Sequence, residues 1–311
     1  MKTHSTKEPV RQHYIPQFIL KNFCFNSKGE LYFFSFKNKE TTIKSTKEIF
    51  MEKQLYNSTN VNFNNPTQIE KDFAKYEQEI ALLIKTKIID QQNISLTLQE
   101  EKSLHFFCAL LGFRSKNVKD TFANPSNESK ALYSQYQSDG NFEEFWKRNI
   151  SVLVKCRSLD EVIKRNDVDN PIKLFMMRDC FGISDQYFVF FEKRGPIDFV
   201  IGDCYPVVIS GSTNFGISLD LITFFPLTPY FCMALVNNGS ENAPCMSKLK
   251  KYLKKPRDKN GILEYRIQKL YEHDIKSINE KIIKNSHSGV AFQDKEKSGI
   301  MNLEVKEYYD D

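Results

Sequence analysis

The chain has 311 residues, 41% hydrophobic and 27% charged, enough for a globular protein to bury a sizeable core. No apolar stretch approaches the roughly 20 residues of a membrane span, and the first twelve residues are mostly polar and charged, so neither a spanning helix nor a secretory signal is read. The net charge of +5 suits nucleic acid without demanding it, and seven widely spaced cysteines without a CxxC pair point to free thiols in a reducing cytoplasm, not to a zinc ribbon.

Residues 1–10 are read as a disordered N-terminus. Directly after them stands His13-Tyr14-Ile15-Pro16-Gln17-Phe18-Ile19-Leu20-Lys21-Asn22-Phe23. Pro16 fixes its own φ and pushes Ile15 into an extended conformation. Phe18, Ile19, Leu20 and Phe23 form an apolar run that must be buried, so His13 is held on a stiff tether at the edge of a core. After a turn at Asn26–Gly29, Leu31–Phe36 reads as an aromatic strand and Thr41–Ile43 as its partner. Residues 57–65 are Asn-rich and loop-like. Ile69, Phe73, Tyr76, Ile80 and Leu83 recur at spacings of four and three, which predicts a long helix after Pro66. Glu70 and Glu77 lie two turns apart beside that stripe. Thr97-Leu98-Gln99-Glu100 is a capping box that opens a second helix. Its apolar side is Leu104, Phe107, Leu110 and Leu111, and Arg114 continues that side. A guanidinium there needs a partner, because an unpaired buried charge is costly.

The stretch from about Thr121 to Asp169 is polar and helical in pieces, with the single Trp146 in Asn141–Ile150. Pro171–Phe181 is predicted as a short helix. Tyr187–Glu192 and Asp198–Asp203 are strand-like, and Gly195-Pro196 between them predicts a hairpin that Val207–Ile209 extends. Leu221–Phe225 and Tyr230–Val236 read as a strand pair around Pro226-Leu227-Thr228-Pro229, and Ile262–Asn285 as a helix. The result is an α+β chain. A single domain over 11–290 has a helical centre (about 66–182) between strand-rich parts expected to share one mixed or antiparallel sheet, and 291–311 is a charged tail.

Several side chains could carry chemistry, each with a plainer alternative. His13 titrates near neutral pH and suits a general acid or base, or a simple bond to backbone. Asp203 ends an apolar strand, where a carboxylate serves a site or caps a turn. Arg114 could bind phosphate with its planar fork, or form a buried ion pair with Glu70 or Glu77. Those two glutamates could be catalytic or metal-binding, or a solvated helix flank. Lys250, Lys251, Lys254 and Lys255 belong to a basic run from Lys248 to Lys259 that is either a phosphate-contacting patch or a solvated surface. His105 and Cys108 lack further ligands and read as core. No phosphate-binding or dinucleotide loop, zinc-protease motif or nucleophile elbow is present.

The opening motif resembles the HYxP[RQ]F signature of the family catalogued as domain of unknown function 4238. Further pieces resemble it in order: Leu31-Tyr32, Ile69-Glu70 through Glu77, Phe106 to Arg114, Phe199–Asp203 with Pro206-Val207, Phe225–Pro229, and Asn279 in the last helix. The family has one residue between Asp and Pro, whereas Cys204 and Tyr205 both intervene here. The resemblance implies a bacterial protein, often encoded on mobile elements, with relatives among anti-phage defence genes; it implies no reaction. The resulting expectation is an anti-phage effector with a nuclease-like hydrolytic site. In it His13 is acid or base, Arg114 neutralises phosphate, Asp203 orients His13 or holds a divalent metal, and Glu70 or Glu77 assists. Tyr14, Gln17, Asn279 and the four lysines would meet nucleic acid, and a phage protein would be the trigger. The alternative is a non-enzymatic sensor or binding protein whose motif residues form a structural polar network.

Overall fold

The computed structural model describes residues 11–53, 55–56, 68–124, 126–127, 130, 141–176, 186–212 and 218–300, so the expectations for 1–10, 57–65, 177–181 and 301–311 fall outside the described residues. The expected tail is corrected over 291–300, where Ala291 and Phe292 pair in a sheet and Ile300 is buried. β1 (Arg11–His13) leads through Tyr14 and Ile15 into α1 (Gln17–Lys21), with Pro16 at its N-cap. Ile15, Ile19, Leu20 and Phe23 are fully buried, as an apolar run of that length requires. β2 (Glu30–Ser35) and β3 (Glu40–Ser45) form the expected antiparallel hairpin, and β4 (Met51–Lys53) returns to pair with β1.

The centre is helical. α2 (Gln68–Lys87) buries Ile69, Phe73, Tyr76 and Ile80 of the predicted stripe, while at its end Ile84 is buried and Leu83 only half-buried. After β5 (Ile94–Thr97), the Thr97/Glu100 capping box starts α3 (Leu98–Arg114), followed by α4 (Lys116–Ala123), α5 (Phe142–Leu153) and α6 (Leu159–Lys164). Residues 170–176 are helical too. α3 is not one-sided as expected. His105, Phe106, Cys108, Ala109 and Phe113 are buried along with the predicted stripe, because the helix runs through the core with cover on all sides.

The C-terminal part supplies β6 (Gln186–Arg194), β7 (Ile201–Gly202), β8 (Val207–Ser212), β9 (Ser218–Thr228), β10 (Phe231–Asn237), β11 (Arg257–Lys259), β12 (Ile262–Tyr265), β13 (Ile267–Tyr271), α7 (Glu272–Asn285) and β14 (Gly289–Phe292). A five-stranded sheet runs β13-β6-β10-β9-β8, parallel only between β13 and β6. β9 and β10 pair directly as predicted, but the turn between them is Pro229-Tyr230: Pro226, Leu227 and Thr228, expected in the turn, belong to β9. Phe188 and Phe190 point into the helical core, while Tyr187, Val189 and Phe191 pack with Ile275, Ile278 and Ile282 of α7. Both faces are covered, which is why Tyr187–Phe191 is continuously apolar and not alternating.

The expected hairpin of residues 187–203 does not form. Asp198 and Phe199 donate their N–H groups to the carbonyls of Lys297 and Pro229, and β7 enters a different sheet, β3-β2-β14-β7. That antiparallel sheet is where the N- and C-terminal parts meet, one of four sheets among the described residues instead of the single one expected. The predicted helix over 262–285 begins only at Glu272. Asn260 and Gly261 both have positive φ (57° and 77°) and close a β11–β12 hairpin. Among the described residues no helix is long and apolar enough to cross a membrane.

Candidate functional site

Arg114 ends α3 and is 3% exposed. Its Nη1 donates to Glu77 Oε1 at 2.5 Å and its Nη2 to the backbone carbonyl of His13 at 2.5 Å. The guanidinium carbon lies 4.1 Å from the ring centroid of Phe73. α2 therefore presents Phe73 and Glu77 to Arg114 from one side, with Glu70 two turns back from Glu77. Tyr56 joins them. It is fully buried, stacked on Trp146, and directs its hydroxyl to the same His13 carbonyl at 3.4 Å. No motif or periodicity marks Tyr56, so sequence reasoning passed over it.

The charges in this cluster are coupled. Burial opposes the charge of Arg114, but Tyr56, Glu77 and Glu70 beside it outweigh burial and hold it protonated, above the usual guanidinium range. Burial pushes the Glu70 carboxyl up to about 7, with Arg114 pulling it down and Glu77 pushing it further up. Among the described residues, Glu70 Oε1 and Arg114 Nε are buried without a hydrogen-bond partner. Because the folded-state value exceeds the ordinary 4.5, the native state binds the extra proton between about pH 4.5 and 7, and Glu70 costs stability as pH rises through that window. Glu70→Gln, which mimics the protonated carboxyl, is expected to melt like the wild type near pH 4.5 and above it at pH 8. Melting curves across that range that stay superimposed would contradict the assignment.

The His13 ring faces away from Arg114's hydrogen bonds. Its Nε2 lies 3.1 Å from the Thr46 carbonyl, to which Gln17 Nε2 also donates at 3.0 Å. A carbonyl oxygen only accepts, so Nε2 carries the proton. Burial lowers the His13 pKa to about 4, with the Thr46 bond raising it and Arg114 lowering it, which keeps the ring neutral at pH 7. Tyr14 is buried, and burial together with the nearby carboxylates of Asp203, Glu52 and Asp120 raises its pKa.

Asp203 is 1% exposed. Its carboxylate accepts from the backbone N–H groups of His287 (2.7 Å) and Ser288 (2.6 Å) and from the Ser288 hydroxyl (2.5 Å). It thus clamps the link between α7 and β14 onto the end of β7. Gly202 permits the close approach, since a Cβ there would overlap Ser286 Oγ. Asp203 makes no bond to His13, and the expectation that it orients that ring is corrected by the clamp. Asn279 also acts internally: its Nδ2 donates to the Asp198 carbonyl at 2.8 Å and its Oδ1 accepts from Val200 N at 3.2 Å. His105 is core, with Nδ1 3.1 Å from the Glu101 carbonyl and its ring against Phe188. No group of three or more His, Cys, Asp or Glu among the described residues could hold a metal ion.

The basic run lies elsewhere, on the surface. Lys250 and Lys251 sit on one 3-10 turn, Lys251 over the rings of Tyr252 and Tyr271. Lys254 and Lys255 line a cleft of about 580 Å³ together with Arg257 and Arg266. Sequence reasoning placed Arg257 in the basic run but missed Arg266, because the helical reading of 262–285 hid the hairpin that brings it there.

The site residues thus divide into a buried carboxylate–arginine–tyrosine cluster under the N-terminal motif, a buried Asp203 clamp, and an open cationic cleft. No curated protein and no solved structure matches the chain. A family model does, described as a protein of unknown function, DUF4238, over residues 11–296. A match of that extent takes in β1, both ends of the α3–α2 cluster and the Asp203 clamp, and the chain belongs to the DUF4238 family.

Proposed function

We propose that this protein is a nucleic-acid-binding component of anti-phage defence whose motif residues build a structural polar network. One observation carries this reading: the Arg114 guanidinium is held by Glu77 and the His13 carbonyl against Phe73 at 3% exposure, and its unpartnered Nε is itself buried, out of reach of a phosphate. His13, Gln17, Asp203 and Asn279 are committed to backbone groups in the same way. Four cations open to a polyanion line the basic cleft, where binding would be sensitive to salt. The defence role is supported by the family resemblance.

A second, enzymatic reading is favoured by Glu70. A carboxyl brought to about 7 beside Arg114 has the proton affinity of a general base at neutral pH. Incubating purified protein with labelled RNA and DNA, with and without magnesium or manganese, separates the two. The binding reading expects retained complexes with intact strands. Cleavage that disappears in Glu70→Gln would replace it with the nuclease reading.

A further inference from the structure

One face of the sheet β11-β12-β5 is polar across its width. Burial alternates along two of its strands: Ile94, Leu96 and Tyr265 are buried, while Asn93, Ser95, Glu264 and Arg266 are exposed. The register sets Ser95 opposite Glu264 and Glu264 opposite Arg257, so these three form a row on one face. Arg266 lies two residues beyond Glu264 and Asn93 two before Ser95, on the same face by the strand period. Lys254 and Lys255 line the same cleft.

Four cations and one carboxylate therefore share a concavity of about 580 Å³, and among the described residues none of the five is in an ion pair. An excess of three positive charges in a cleft, four cations against one carboxylate, focuses a positive potential that favours an anion. The size suits a small organic ligand and exceeds what a bare phosphate needs. Glu264 constrains the ligand further. An ionised carboxylate only accepts hydrogen bonds, so a purely anionic ligand is repelled there and one that also brings a donor is welcomed.

We infer that this cleft takes one or two nucleotide units, free or within a single strand, with phosphates on Lys254, Lys255, Arg257 and Arg266 and a sugar hydroxyl or base amino group on Glu264. The strand form rests on the nucleic-acid reading above; the free-nucleotide form does not.

Calorimetric titration of the full chain with pyrophosphate, a ribonucleoside monophosphate and a short single-stranded RNA tests this. The double variant Arg257→Gln/Arg266→Gln is expected to bind nucleotide and RNA about tenfold or more weakly, with the RNA salt slope falling by roughly 0.7 for each lost phosphate contact. Both side chains are exposed, so an unchanged melting temperature serves as the folding control. Glu264→Gln is expected to tighten pyrophosphate and erase the preference for nucleotide over it. If nucleotide binds and RNA does not, the cleft stands and the nucleic-acid reading falls. If RNA binds equally to wild type and the double variant, the cleft is overturned while that reading survives. If pyrophosphate matches nucleotide and Glu264→Gln changes nothing, the nucleotide assignment is overturned. If no probe binds, both fall.

Discussion

Arg114→Ala is expected to lower stability by about 3–5 kcal/mol, the range for removing one partner of a buried ion pair. The loss has three parts. Glu77 is left with its charge uncompensated, the His13 carbonyl loses a charged donor, and a cavity opens beside Phe73. Glu70, already pushed up by burial, also loses the one cation that pulls it down. Against a typical total of about 5–15 kcal/mol, the variant would be marginal at 37 °C. Urea unfolding measures the effect as a shift of the midpoint. Pairing Arg114→Met with Glu77→Gln is expected to recover much of it, since a buried pair replaced on both sides leaves no bare charge. A single variant within 1 kcal/mol of wild type (roughly the worth of a surface pair) would mean that Arg114 is not a structural keystone, and the case for a phosphate role would reopen.

Asp203→Ala should act just as strongly through a different device. Its carboxylate satisfies two backbone N–H groups and a hydroxyl in the link between α7 and β14. A hydrogen bond to a charged group contributes about 1.5–3 kcal/mol, and because the three donors sit on the exposed residues His287 and Ser288, where water can take over part of the bonding, the variant is expected to lose roughly 2–6 kcal/mol. Asp203→Asn should recover little, because one carboxamide oxygen cannot serve all three donors and its NH₂ group would face them. Hydrogen exchange is the sharper readout. The His287 and Ser288 amides should lose protection ahead of the rest of the sheet, because β14 stays zipped to β2. Protection unchanged at these two amides would remove the clamp from the account of Asp203.

Both predictions describe how the fold is closed, and both concern residues that the motif made conspicuous. In this chain a histidine, an arginine and an aspartate embedded in apolar segments mark places where the backbone of one part must be tied to another. Arg114 bonds to the carbonyl of a residue 101 positions away, and Asp203 to amides 84 and 85 positions away.

Within a window of about ten residues, the sequence by itself determined a good deal. The four-and-three spacing of Ile69 to Ile80 is a helix stripe in any context, the Thr97/Glu100 box satisfies its own N–H groups, and the apolar runs on either side of Pro229 are two strands that pair directly. The α+β class was legible, and so was a pairing of Arg114 with Glu70 or Glu77 as one of two readings, since an apolar stripe that ends in a guanidinium has few places to find a carboxylate; the choice of Glu77 came from the structure. Asn260-Gly261 is a hairpin signal that the reading of Ile262–Asn285 as a helix passed over. What only the tertiary structure decided is which distant segments meet. Asp198–Asp203 looks equally like a partner for β6 or for β14, because strand-forming residues specify extension and not a neighbour. Side-chain type likewise does not report burial: His13 and Asp203 carry the same chemistry whether they line a pocket or hold a carbonyl. The polar row Ser95–Glu264–Arg257 exists only once three strands far apart in sequence are set side by side. Local patterns select elements through short-range sterics and hydrogen bonding, whereas sites arise from long-range contacts, and those are settled by how the whole core packs.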